Sequence, residues 1–96
     1  MTYADLQESL RIFGLRNRSS LKEIKTRHRE LVKRYHPDTG NVDGNESIQR
    51  VNAAYRILME YVTEYRFSFA EEEFYEQNPD ECLRQQFMDT ALWGKR

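Results

Sequence analysis

Residues 34–40 read Arg34-Tyr35-His36-Pro37-Asp38-Thr39-Gly40, and they separate two segments of strong helical periodicity. Pro37 fixes its own φ and has no backbone N–H to donate. It also pushes the preceding residue toward extended geometry. A helix arriving from the N-terminal side must therefore stop near Tyr35. The corner that results presents an imidazole (His36) and a carboxylate (Asp38) on stiff backbone, so engaging them costs a partner little ordering entropy. Taken alone, the same three residues also read as a plain helix terminator, with His36 at the negative helix end and Asp38 capping the turn.

Upstream, Ser20 and Glu23 have the spacing of a capping box, in which each side chain satisfies the other's backbone amide. Leu21, Ile24, His28, Leu31, Val32 and Tyr35 then fall within one arc at 100° per residue, which predicts an amphipathic helix. Lys22, Lys25, Arg29 and Lys33 form a stripe beside that arc. Glu23 and Glu30 lie on another side, close to Arg27 and Arg34, so that side is internally neutralised and the stripe is not. Four uncompensated cations suit an acidic protein surface or phosphates; they equally describe an ordinary solvated face.

Downstream, residues 36–45 hold Pro37, Gly40, Asn41, Gly44 and Asn45, a turn-rich loop longer than most helix–helix connections. Asn45 or Ser47 is expected to cap a third helix. Ile48, Val51, Asn52, Tyr55, Leu58, Met59, Val62 and Tyr65 mark its main face for about five turns at the helical repeat. Ala54, Ile57 and Tyr61 form a second apolar strip that one antiparallel neighbour does not cover. Before the hairpin, Thr2 caps a short helix with Tyr3, Leu6, Leu10 and Phe13 at helical spacing, and Gly14 is its stop. Residues 15–19 are expected to be a polar connection.

Residues 67–96 differ in character. They carry seven acidic side chains against three basic ones, whereas residues 1–40 carry five against nine. Ser68 is expected to cap a short helix bearing Phe69, Phe74 and Tyr75, and Asn78-Pro79-Asp80-Glu81 reads as a fresh helix start. Phe67, Phe69, Phe74, Phe87 and Trp93 are expected to cover the second strip of the long helix. The expected organisation is thus one domain over 1–66 and an acidic, aromatic helical extension over 67–96 packed on the same core.

Ninety-six residues at a net charge of −1 give one small domain without a dominant field. The single cysteine, Cys82, excludes an internal disulfide. No apolar run approaches the roughly 20 residues of a membrane span, and the N-terminus lacks the layout of a secretory signal; a cytoplasmic setting is expected. There is no glycine-rich phosphate loop and no nucleophile–base spacing, so no enzyme activity and no cofactor are expected. His28, His36 and Cys82 are too few and too scattered for a metal site.

The basic second helix ending in Tyr35-His36-Pro37-Asp38, followed by Val51-Asn52-Ala53-Ala54-Tyr55-Arg56-Ile57-Leu58, resembles the J-domain of the DnaJ co-chaperone family over about residues 2–66. The resemblance implies an all-α fold: an antiparallel hairpin of helices II and III, a short first helix, and here one or two short C-terminal helices. It implies a module that binds a DnaK-type chaperone of the seventy-kilodalton heat-shock class and stimulates its ATP hydrolysis. His36 and Asp38 would be the signal residues, Pro37 would hold them, and Lys22, Lys25, Arg29 and Lys33 would meet an acidic surface of the partner. Lys25 and Arg29 occupy positions usually basic in the family, and Arg34 keeps a basic residue before Tyr35. The chain would act as a monomer, with no membrane and no nucleic acid involved.

Some residues depart from the family pattern. His28 stands where tyrosine is common and is expected to be a packed, hydrogen-bonded core histidine. Glu30 stands where many members carry a cation, which shifts recognition toward Lys22, Lys25 and Lys33. The usual basic fourth helix is not evident. Two other readings remain open at this level: a nucleic-acid-binding helical domain using the same stripe, and a J-like adaptor that does not stimulate a partner.

Overall fold

The computed structural model describes residues 1–36 and 44–88. Pro37, Asp38 and the rest of the loop through residue 43 lie outside the described residues, as do Leu92 and Trp93. Among the described residues five helices run in order: α1 (Tyr3–Phe13), α2 (Leu21–Tyr35), α3 (Gly44–Glu64), α4 (Glu71–Gln77) and α5 (Pro79–Met88). Among the described residues there is no strand, so the all-α expectation holds. The chain divides into two compact units, Met1–Tyr65 and Arg66–Arg96.

In the first unit each helix start has a chemical cause. The Thr2 hydroxyl accepts from the Asp5 N–H at 3.1 Å while the Asp5 carboxylate accepts from the Thr2 N–H at 3.1 Å. Ser20 and Glu23 repeat the arrangement at the start of α2, at 3.1 and 2.8 Å. Both boxes satisfy amides that a helix leaves orphaned. They also hold the Asp5 and Glu23 carboxyls below their ordinary range, because the hydrogen bonds to Thr2 and Ser20 favour the charged form.

Helix α1 ends at Gly14, whose φ of 64° lies in the left-handed region. The Gly14 N–H donates to the Arg11 carbonyl and the Leu15 N–H reaches back to the Leu10 carbonyl at 3.0 Å. Leu15 thereby turns inward and packs against the core, so the connection expected to be polar contributes an apolar anchor at its first position.

α2 and α3 form the antiparallel hairpin, and α1 packs chiefly on α3. The core is Phe13, Ile24, Leu31, Val51, Ala54 and Leu58, with Leu6, Leu10, Val32, Tyr35, Tyr55 and Val62 packed around it. Phe13 has no exposed surface. Ser9 is buried too, its hydroxyl donating to the Asp5 carbonyl one turn back at 2.9 Å. Ala54 was expected on a separate strip with Ile57 and Tyr61, but it is buried beside Val51 in the main core. A methyl side chain lets a neighbouring helix approach closely at that point, which a wheel angle alone does not reveal.

α3 begins at Gly44, so Asn45 and Ser47 lie inside its first turn and not ahead of it. The polar run 41–47 offers several equivalent start signals, and spacing does not rank them.

In the second unit, α4 starts at Glu71 with Ala70 as an N-cap lacking a side-chain bond. The Ser68 hydroxyl instead accepts from the Ala70 N–H at 3.3 Å, a local turn that competes with helix capping. Phe69 therefore precedes the helix expected to carry it. The three acids Glu71, Glu72 and Glu73 sit in the first turn, where the helix dipole favours negative charge. Asn78 joins α4 to α5: its amide donates to the Phe74 carbonyl at 2.9 Å, while its own carbonyl accepts from Glu81 and Cys82. Pro79 occupies the first position of α5, as expected.

Candidate partner-binding surface

The capping box at Ser20 sets the phase of α2, and with it which side chains face outward. Ile24 and Leu31 are buried, whereas Lys22, Lys25, Arg29, Lys33 and Arg34 are all exposed. Among the described residues no carboxylate forms an ion pair with Lys22, Lys25, Arg29 or Lys33. The Arg29 guanidinium has only the Thr26 hydroxyl nearby, at 3.4 Å. Among the described residues the stripe is a row of four uncompensated charges over about three turns of α2, and such a row attracts acidic surfaces over several ångströms.

The opposite flank is neutralised in part, by one of the pairs that spacing suggests. Glu30 pairs with Arg27 at 3.1 Å, and Glu23 is committed to the Ser20 cap. Arg27 has a second role: its Nε donates to the Phe13 carbonyl at 2.8 Å, tying α2 to the end of α1. Sequence reasoning missed this tie. It joins residues fourteen positions apart, and an arginine on a charged flank carries no local mark of it.

α2 ends where Pro37 requires. His36 is exposed, with φ −62° and ψ 135°, the extended geometry imposed on a residue before proline. It stands three residues beyond Lys33, so the stripe runs to the corner. Lys22, Lys25, Arg29, Lys33 and His36 thus share one helix and its exit; Pro37 and Asp38 fall outside the described residues.

His28 and α3 fix the spacing of the hairpin behind this surface. The His28 Nε2 lies 3.2 Å from the Asn52 Oδ1. Its ring stacks on Tyr55 with centroids 3.8 Å apart, and Phe13 flanks both at 6.2 and 6.3 Å in nearly parallel planes. His28 is therefore the packed, hydrogen-bonded residue expected, and the Asn52–Tyr55 spacing acquires a reason: both reach the same imidazole. Among the described residues no group of three His, Cys, Asp or Glu side chains could hold a metal ion. No helix among them is long and apolar enough to cross a membrane.

The sequence profile of the DnaJ domain matches residues 10–66, more than half of the chain. Curated proteins with similar sequences include the chaperone protein DnaJ of Caldicellulosiruptor saccharolyticus, 35% identical over 57 residues (57% of this chain, 15% of that protein). A DnaJ-like protein of Mycoplasma pneumoniae is 39% identical over 74 residues, 71% of this chain and 22% of that protein. The chaperone protein DnaJ of Rickettsia prowazekii is 36% identical over 53 residues (54% and 14%). The chain thus spans less than a quarter of the length of these relatives. No solved structure matches it significantly. The helical hairpin, the proline-terminated basic helix and the matched profile coincide on the same residues, and the chain belongs to the DnaJ-domain family.

Proposed function

We propose that this chain is a co-chaperone module that binds a DnaK-type chaperone in its ATP state and stimulates ATP hydrolysis there. Lys22, Lys25, Arg29 and Lys33 engage an acidic face of the partner, and His36, Pro37 and Asp38 act at the point where its domains meet. The module performs no chemistry itself. It works as a monomer in the cytoplasm, and its contribution is to favour the partner's hydrolysis-competent arrangement.

One observation supports this reading above the others: four exposed cations, unpaired among the described residues, run along α2 to an extended, exposed His36. The relatives named as DnaJ chaperones point the same way. A nucleic-acid binder would draw on the same stripe, but the chain's net charge of −1 gives it no basic field.

Binding to an ATP-state DnaK-type chaperone, followed by fluorescence anisotropy at several salt concentrations, tests the proposal. Lys25→Glu with Arg29→Glu should weaken binding by about tenfold or more and flatten its salt dependence, since each reversal converts an attraction into a repulsion. Equal binding by the double variant would contradict it. A salt-sensitive shift with RNA or DNA in place of chaperone binding would transfer the stripe to the nucleic-acid reading.

A further inference from the structure

The second unit has no interior of its own. Among its described residues none is buried. α4 and α5 run for only 7 and 10 residues, whereas isolated helices shorter than about 12–15 residues are marginal in water. Its large apolar side chains face solvent instead: Phe69 is 92% exposed, Phe87 68% and Leu83 65%. On α5 they follow a pattern. Pro79, Leu83 and Phe87 recur at every fourth position, so they line one strip of the helix, and all three are exposed. An apolar strip of this kind, on a helix with no fully buried residue, marks a surface that another chain covers.

Charge decides what covers it. Residues 71–81 hold six acids, Glu71, Glu72, Glu73, Glu76, Asp80 and Glu81, and no base. Asp80 lies one turn before Leu83, hence beside the strip. Arg84 follows, and its guanidinium is engaged by Glu81 at 3.3 Å. Over the whole of residues 67–96 there are seven acids against three bases, so the excess holds for the entire segment. That sign discriminates among occupants. An anionic lipid surface and a nucleic-acid backbone are both repelled. A second copy of the segment brings the same charge to the same strip, and like charges disfavour that pairing. A purely apolar segment takes the strip but gains nothing from the acids.

We propose that the α5 strip docks a cationic amphipathic helix of another protein. Its apolar side chains pack on Leu83 and Phe87, and its lysines or arginines are drawn to Asp80 and to the acids of α4. Helix-in-groove recognition uses anchors at this spacing. Apolar contact supplies most of the affinity, while charge selects the partner's sign and speeds the encounter. The assignment does not depend on the chaperone-binding reading. That reading uses cations of α2 in the first unit, which attract the opposite charge, so either can fail without the other.

The test titrates the full chain with a synthetic helical peptide of leucine and lysine at amphipathic spacing, read by calorimetry and ¹⁵N NMR. Saturable binding is expected, with shifts centred on Leu83 and Phe87. Leu83→Ser with Phe87→Ser should weaken it by about tenfold or more. Both side chains are exposed, so this variant should keep the wild-type circular dichroism. Glu71→Gln with Glu72→Gln spares the strip and should weaken binding and reduce its salt dependence. A peptide with glutamate in place of each lysine should not bind. No binding of the lysine peptide, equal binding of the glutamate peptide, shifts confined to Met1–Tyr65, or affinity that survives either variant would overturn the assignment. So would two other occupants: self-association of the free chain that the strip variant abolishes, or adsorption to phosphatidylglycerol vesicles that depends on Leu83 and Phe87.

Discussion

The His28 imidazole lies flat against the Tyr55 ring, centroids 3.8 Å apart and planes 6° from parallel, while its Nε2 meets Asn52 at 3.2 Å. One side chain of α2 thus gathers two residues of α3 a turn apart, and Phe13 of α1 flanks the stack. The contact couples all three helices behind the cationic face. The His28–Tyr55 pair should show a coupling free energy of about 0.5–1.5 kcal/mol in a double-mutant cycle with alanine, measured by urea denaturation. Additive losses would mean that the stack is geometric only.

Gly14, the stop of α1, is a position where a side chain is not readily accommodated. Its φ of 64° strains any side chain, and a Cβ there would come within 3.2 Å of the Arg27 Nη2. Gly14→Ala should cost about 1–2 kcal/mol from backbone strain, with more if Arg27 is displaced from the Phe13 carbonyl. A Tm equal to wild type would show that the α1 stop is not held as described.

The start of α2 makes stability depend on acid. The Glu23 carboxyl is held below its ordinary value by its hydrogen bonds to Ser20. A carboxyl with a lowered folded pKa contributes stability that is fully present above its unfolded value, near 4.3. That contribution is lost as pH falls through the lower folded value. Glu23→Gln should destabilise the protein near neutrality, because the Ser20 N–H then donates to a neutral amide instead of a carboxylate. The gap between wild type and variant should narrow below about pH 4, because protonation already weakens the wild-type box. A gap unchanged in acid would contradict this account of the cap.

Much of this was legible in the sequence, for a consistent reason. Capping boxes, a proline stop, a glycine stop and amphipathic arcs are local, and Thr2, Gly14, Ser20 and Pro79 act within four residues of their partners. Interactions that cross the fold were not legible. The Arg27 tie to Phe13 and the choice of Asn52 as the partner of His28 are set by how helices dock, and neither residue type announces its partner. Ala54 was misassigned because its small size matters more than its wheel angle. The starts of α3 and α4 were misplaced where several polar residues competed to begin the helix.

Among the described residues, every buried core residue lies within Met1–Tyr65. A chain ending at residue 66 should therefore fold by itself, with a cooperative thermal transition and the α-helical dichroism expected of three helices. A non-cooperative melt would show that the core is incomplete without residues 67–96.

The proposal as a whole turns on the corner after α2, and single-turnover ATP hydrolysis by a DnaK-type chaperone tests it most directly. The full chain should accelerate hydrolysis, and Asp38→Asn should abolish the acceleration while leaving the thermal transition unchanged. No acceleration by the wild-type chain, or equal acceleration by the variant, would contradict it.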